Sequence, residues 1–227
     1  MMAGSGALSG RKAEAARNDR MILDAARAVF TRDPGAPVAA VAEEAGVGVG
    51  ALYRRYASKD ELLRTLCADG LNQFIAIAET VLATVPDPWE AFAGFMGGII
   101  DSDVHSLTVH LAGTFTPTPE LRELAVRASA RGERIFAAAQ NAGVLRGDLE
   151  AGDLAMMFEQ ITAIRGGSAE RTAALRRRYL ALLLDAVRTQ AATGPLPGRP
   201  PDAGELARRW RPPAPLYRLV RLYRLVR

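Results

Sequence analysis

From Ile22 to Val187 the apolar residues recur at intervals of three and four. No segment alternates apolar and polar residues for the length of a strand. A chain patterned this way buries one stripe of each helix and has no sheet to pack it on, so the expected fold class is all-α. Turn signals divide the pattern. Ile22, Ala25, Ala26, Val29 and Phe30 define a first helix, with Asn18 or Asp19 as its cap and Asp33-Pro34-Gly35 as its end. A short second helix runs from Val38 to Ala45 and closes at Gly46. A third covers Val49 to Tyr56. Ser58 and Glu61 have the spacing of a capping box, and they open a long helix that lasts to about Thr84. Asp87-Pro88 and Thr118-Pro119 start two more, the second ending at Gly143. Leu154 to Ile164 and Ala169 to about Ala192 complete the set.

Charge is unevenly distributed along the 227 residues. The net +4 resolves into +2 for residues 1–66, −4 for residues 67–198 and +6 for residues 199–227. A basic total suggests an acidic partner, yet most of this excess lies in the last 29 residues. Cys67 is the single cysteine, which excludes an intramolecular disulfide and argues against a cysteine zinc site. Met1 to Asn18 has no apolar run, so no signal peptide is expected. Phe92 to Ile100 is too short for a bilayer, which needs about 20 residues. The expected location is the cytoplasm.

The informative segment is Pro37 to Leu63, PVAAVAEEAGVGVGALYRRYASKDELL. Ala42, Gly46 and Leu52 have the spacing of a helix-turn-helix. A small residue at 42 lets two helices cross closely, glycine at 46 permits a positive φ, and Leu52 anchors the second helix. Its other face then points outward, and a helix of this size fits a DNA major groove. The residues expected to meet DNA are Val49, Gly50, Ala51, Tyr53, Arg54, Arg55, Tyr56 and Lys59. Val49 and Gly50 approach base edges. Tyr53 donates to a phosphate, and Arg54 reads a guanine or neutralises a phosphate. Lys59, in the first turn of the long helix, is placed for a phosphate contact. The same Ala/Gly/Leu pattern also occurs in plain helical corners. The helix before it and the capping box after it favour DNA binding.

Residues 18–64, through VAEEAGVGVGALYRRYASKDELL, resemble the N-terminal DNA-binding domain of TetR-type transcriptional regulators. The resemblance implies nine or ten helices, the first three binding DNA and the rest forming a ligand-binding and dimerisation domain. It further implies a homodimeric repressor, released from a palindromic double-stranded DNA operator by a small-molecule effector. Activation, or dependence on a co-ligand, is compatible with the same fold. Three hydroxyl residues common in that family are replaced by Val38, Gly48 and Ala51. Arg55 stands where histidine is common, and Tyr56 where phenylalanine is usual. Arginine is therefore expected to supply more of the phosphate binding here.

The domain plan expected from these signals is a flexible segment at 1–17, the DNA-binding domain at 18–64, an effector and dimerisation domain at 65–193, and a Pro/Arg-rich tail at 194–227. Trp89, Phe92, Phe95, Met96, Ile99, Phe115, Met156, Met157 and Phe158 supply large apolar surface. They read either as core or, with His105 and His110, as the lining of an apolar effector pocket. The two histidines are five apart, which does not put them on one helical face, and no metal site is expected. Leu175, Leu180, Leu183, Leu184 and Val187 form a stripe, either the dimer interface or intrachain core, with Arg176 to Arg178 on the polar side. No catalytic motif is present: there is no GxSxG, no HExxH and no phosphate-cradling loop, so neither an enzyme nor a cofactor is expected. The chain ends in a tandem repeat, LYRLVR at 216–221 and 222–227. It reads as an extension without structure, a basic arm for DNA, or a membrane-surface anchor.

Overall fold

A computed structural model describes residues 5–105, 111 and 113–208. Among them there are nine α-helices and no strand. They are α1 (Ser5–Arg32), α2 (Val38–Glu44), α3 (Val49–Arg55), α4 (Lys59–Thr84), α5 (Pro88–Asp101), α6 (Pro119–Asn141), α7 (Ala151–Ala163), α8 (Ala169–Ala186) and α9 (Ala203–Arg208). A 3-10 turn at Thr189–Ala191 follows α8. His110 and the LYRLVR repeat lie outside the described residues.

Local chemistry sets the helix ends. Asp87 accepts from the Glu90 amide at 2.8 Å and Thr118 from the Leu121 amide at 3.3 Å, with Pro88 and Pro119 each at the first helical position. Such caps each contribute about 1 kcal/mol. Gly46 and Gly143 take φ of 65° and 70° at the helix ends where the sequence calls for glycine. The Ser58 box differs in one respect. Ser58 Oγ accepts from the Glu61 amide at 3.1 Å, but Glu61 Oε2 accepts from the amide of Ala57, one residue before the cap, at 2.8 Å.

Three boundaries differ from expectation. Helix α1 begins at Ser5 instead of at an Asn18 or Asp19 cap, so helix extends through most of the segment expected to be flexible. Asp19 lies inside α1, with its carboxylate committed to another partner. Helix α8 ends at Ala186, six residues early, because the chain turns back there: Arg146 N donates to the Val187 carbonyl at 3.0 Å and Thr189 N to the Val144 carbonyl at 3.2 Å. Finally, residues 194–208 pack on the body instead of leaving it.

Two apolar cores share α4. The first unites Ala26, Phe30, Val41, Leu52, Leu62 and Leu66 with Leu111, Phe115 and Leu121, so residues after α5 close the base of the first three helices. The second unites Phe92, Phe95, Met96, Ile99, Ile135, Phe158 and Leu180. Each fully buried side chain of this size contributes about 1.5–3 kcal/mol. Helix α4 is apolar and long enough to cross a membrane by composition; here Leu62, Leu63 and Leu66 enter the first core and Ala78 the second. Burial pushes the Cys67 thiol up to about 12, so it is packing and not a nucleophile.

The segment after the 3-10 turn is tied down at its start. Arg146 grips Asp148 with Nε and Nη2 at 2.7 and 3.0 Å, and Nη2 also donates to the Gly194 carbonyl at 2.7 Å. Asp148 Oδ2 accepts from the Leu196 amide at 2.7 Å. Arg146, and then that amide, hold the Asp148 carboxyl down at about 2, against an ordinary 3.8. A carboxyl depressed in the folded state contributes stability above its unfolded pKa and loses it as pH falls through the folded one. The tether is therefore complete above about pH 4 and lost toward about pH 2. Leu196 amide exchange, corrected for the intrinsic rate, is expected to rise over that window. Asp148→Asn is expected to show the faster exchange already at neutral pH.

Candidate nucleic-acid interface

Helices α2 and α3 meet across the Gly46 turn. The turn is closed by Gly46 N to the Glu43 carbonyl at 3.0 Å and Val47 N to the Ala42 carbonyl at 2.9 Å. Val41, Ala42 and Leu52 are completely buried beneath it. That anchoring turns Val49, Gly50, Ala51, Tyr53 and Arg54 outward, all of them exposed. Among the described residues neither Tyr53 nor Arg54 has a hydrogen-bond or ion-pair partner. A phenol and a guanidinium on a short, exposed helix are a donor pair without an internal role. Both short helices also lack a side-chain cap, since Pro37 and Gly48 hold the cap positions. This follows from the missing hydroxyl residues.

Three of the expected DNA-contacting residues have other work. Arg55 forms a two-pronged ion pair with Asp19 of α1, Nε to Oδ1 at 2.6 Å and Nη2 to Oδ2 at 2.5 Å. That carboxylate raises the Arg55 pKa, and the pair fixes α3 against α1. Tyr56 is 5% exposed, in the first core, where burial raises its phenol pKa. Lys59 donates from Nζ to the carbonyls of Pro34 and Ala36 at 3.0 and 2.7 Å and lies 5.0 Å over the Phe30 ring. It clamps the α1–α2 turn. The spacing that places these three on the outer face cannot show Asp19 or the Pro34 and Ala36 carbonyls reaching them. In the other direction, the longer α1 carries exposed Arg17 and Arg20 within one turn of Asp19 along the helix. The basic residues before Met21 are the signal for them in the sequence, where they read as the edge of a flexible segment.

The larger body holds a cavity of about 340 Å³ bounded by α4, α5, α6 and α7. Phe95, His105 and Phe158 line it, with Phe74, Leu154, Ser129 and Glu133. The Phe74 and Phe95 rings meet edge to face, 5.2 Å apart, and His105 lies 5.0 Å from Phe158. The other expected pocket residues that are described are not in this lining. Trp89, Phe92, Met96, Ile99 and Met157 are buried in the second core, and Phe115 in the first. Their stripe faces neighbouring helices, which composition alone cannot separate from facing a void.

The expected dimer stripe is also turned inward. Leu180 and Val187 are buried in the second core and Leu183 and Leu184 pack against it, while Leu175 is half-buried. The exposed large apolar residues of α8 are Tyr179 and Leu182, at 46% and 55%. Arg176 is not on the polar side. It is 6% exposed and bonded to Asp103 at 2.5 Å and to the carbonyls of Thr162 and Ile164 at 2.8 and 3.3 Å. Arg177 is exposed and pairs with Asp101 at 2.8 Å. Burial, and then the Arg176 charge, pushes the Arg165 pKa down.

A helix-turn-helix presented by a three-helix unit, on a helical body with its own cavity, defines a DNA-binding transcriptional regulator. Residues 22–66 match the family model described as bacterial regulatory proteins, tetR family, and residues 87–189 match the C-terminal domain of SbtR-like transcriptional regulators. The chain belongs to the TetR family of transcriptional regulators. Solved structures agree. The TetR family regulator PfmR from Thermus thermophilus is 25% identical over 72% of this chain and 97% of its own, with a TM-score of 0.51. The regulator SCO0520 from Streptomyces coelicolor is 26% identical over 75% and 98%, at 0.51. The TetR regulatory protein from Mycobacterium vanbaalenii is 25% identical over 78% and 98%, at 0.51. No curated protein sequence matches the chain.

Proposed function

We propose that this regulator is a homodimeric repressor that binds a palindromic operator and leaves it when a small apolar molecule occupies the body. The observation that carries the DNA contact is the division of labour on α3. Arg55 and Lys59 hold the domain together, which leaves Tyr53 and Arg54 to face the groove, with Val49, Gly50 and Ala51 close to the base edges. Arg17 and Arg20 add positive charge at the flanking phosphates. The effector reading rests on the aromatic-lined cavity, which has the usual form of a small-molecule site. The repressor reading rests on the family and on the separation of the two sites by α4, which enters both cores. Release then requires a ligand that binds better to a dimer geometry unsuited to the operator spacing.

Dimerisation through the outward face of α8 places Tyr179 and Leu182 at its centre. Leu182→Arg together with Tyr179→Glu is expected to shift the protein from dimer to monomer by light scattering. Operator affinity should fall with it, because two half-sites about 10 base pairs apart are then read by one helix at a time. A variant that stays dimeric removes α8 from the interface. The whole proposal is tested by footprinting the protein on its genome and titrating one bound fragment. A palindromic footprint, transcription raised on deletion and release by a small molecule support it. Transcription lowered on deletion indicates an activator.

A further inference from the structure

The tethered segment at 194–208 continues onto the cavity. Pro201 and Leu206 complete its lining. Pro201 approaches α7 so closely that a β-carbon on Gly152 would stand 2.2 Å from the Pro201 carbonyl oxygen. The next nearest atoms also belong to Pro200 and Pro201, so only glycine at 152 lets the segment lie down there. A reciprocal cap then starts α9, Asp202 N to Glu205 Oε2 at 2.9 Å and Glu205 N to Asp202 Oδ1 at 2.8 Å, and brings Leu206 over the cavity. Both matching family models end at or before residue 189. This wall therefore comes from chain outside them.

We propose that residues 194–208 form a movable wall of the effector cavity, with Pro201 and Leu206 deciding which apolar molecules fit and how fast they leave. The inference rests on the reading of the cavity as the effector site. The other walls are helices α4 to α7, anchored in the two cores, with Val104 and His105 just after α5. The wall segment has exposed tethers and a helix of six residues, far too short to stand alone. Segments of that kind open at the lowest free-energy cost in a fold. The lining favours an uncharged apolar molecule with one donor group for the Glu133 carboxylate.

The test uses N-phenyl-1-naphthylamine, an uncharged apolar dye that brightens on leaving water, with full-length protein. Gly152→Val lifts the wall without touching the core, Leu206→Trp fills the cavity from the wall side, and Ala155→Trp fills it from α7. Gly152→Val is expected to speed dye dissociation about tenfold, and Leu206→Trp, whose ring takes space the dye would fill, to weaken binding about tenfold or more. Amide exchange at 202–206 should slow when dye binds. If Ala155→Trp abolishes binding while the two wall variants behave as wild type, the wall proposal is overturned and the cavity reading stands. If Ala155→Trp changes nothing, or neither wild type nor Gly152→Val binds dye, both are overturned.

Discussion

Replacing Arg54 by alanine is expected to weaken operator binding by about 10- to 100-fold, the loss of about 1–3 kcal/mol that follows removal of a guanidinium contacting a base or phosphate. Of the two arginines on α3, Arg55 is held by both oxygens of Asp19. Arg54 is exposed and has no partner among the described residues. Tyr53→Phe, which removes one hydroxyl, is expected to cost up to about tenfold, the value of a single hydrogen bond. Arg55→Ala supplies the contrast. Its Asp19 pair is largely exposed, at 58% for the arginine side chain, so stability should change by no more than about 1 kcal/mol. Operator affinity should follow only as far as α3 loses its seat. Fluorescence anisotropy on one operator at several salt concentrations separates a base contact from a phosphate contact. Loss of a phosphate contact lowers the salt slope by about one, whereas loss of a base contact relaxes specificity at one position. Wild-type affinity in both Arg54→Ala and Tyr53→Phe would remove α3 from the interface.

The largest stability effect is expected at Arg176. Its Nε and both terminal nitrogens are bonded, Nη1 to Asp103, Nη2 to the Thr162 carbonyl and Nε to that of Ile164. The side chain thus joins the end of α7, α8 and the turn after α5. That turn contains Asp103 at φ 52°, a left-handed position that aspartate tolerates better than most residues. Arg176→Ala leaves the two carbonyls without these donors and Asp103 without its counter-charge, at a cost of about 3 kcal/mol. For a domain of this size that is a drop of about 6–12 °C in the thermal midpoint. Asp103→Ala is expected to cost a similar amount, because it strands a buried cation. The double variant should cost less than the two single ones together, the sign of a coupled pair. Strict additivity in that cycle would mean that the two side chains act separately. Dye binding in the cavity should survive both single variants, since neither residue lines it.

Much of the fold is legible without any coordinates. Periodicity and stop signals place most of the helices, because a capped helix start is decided within a few residues: Asp87, Thr118 and Ser168 cap where a short polar side chain precedes the apolar stripe. The DNA-reading surface is legible in part. Ala42, Gly46 and Leu52 fix the crossing of α2 and α3, and Tyr53 and Arg54 follow from the crossing by helical geometry. Arg55, Tyr56 and Lys59 share the same spacing but have different fates. Their partners lie 36 residues away for Arg55, and 23 and 25 residues away for Lys59. Spacing along one helix carries no information about such partners. The same limit governs the stripe on α8, where Leu180 and Val187 are buried within the chain and Tyr179 and Leu182, one or two residues from the stripe, are exposed.

By itself, then, the sequence determined an all-α chain, the capped starts of several helices, its helix-turn-helix and its family, because each is written in short-range pattern and local hydrogen bonding. Tertiary structure alone decided which polar side chains remain available to DNA, which apolar stripe is core, and which residues border the cavity. Those outcomes depend on what stands opposite each side chain, and that is set by chain packing over tens of residues. The proline-rich stretch shows the difference most plainly. Its composition reads as a tail, yet the absence of a β-carbon at Gly152, some 50 residues upstream, gives it a place on the body.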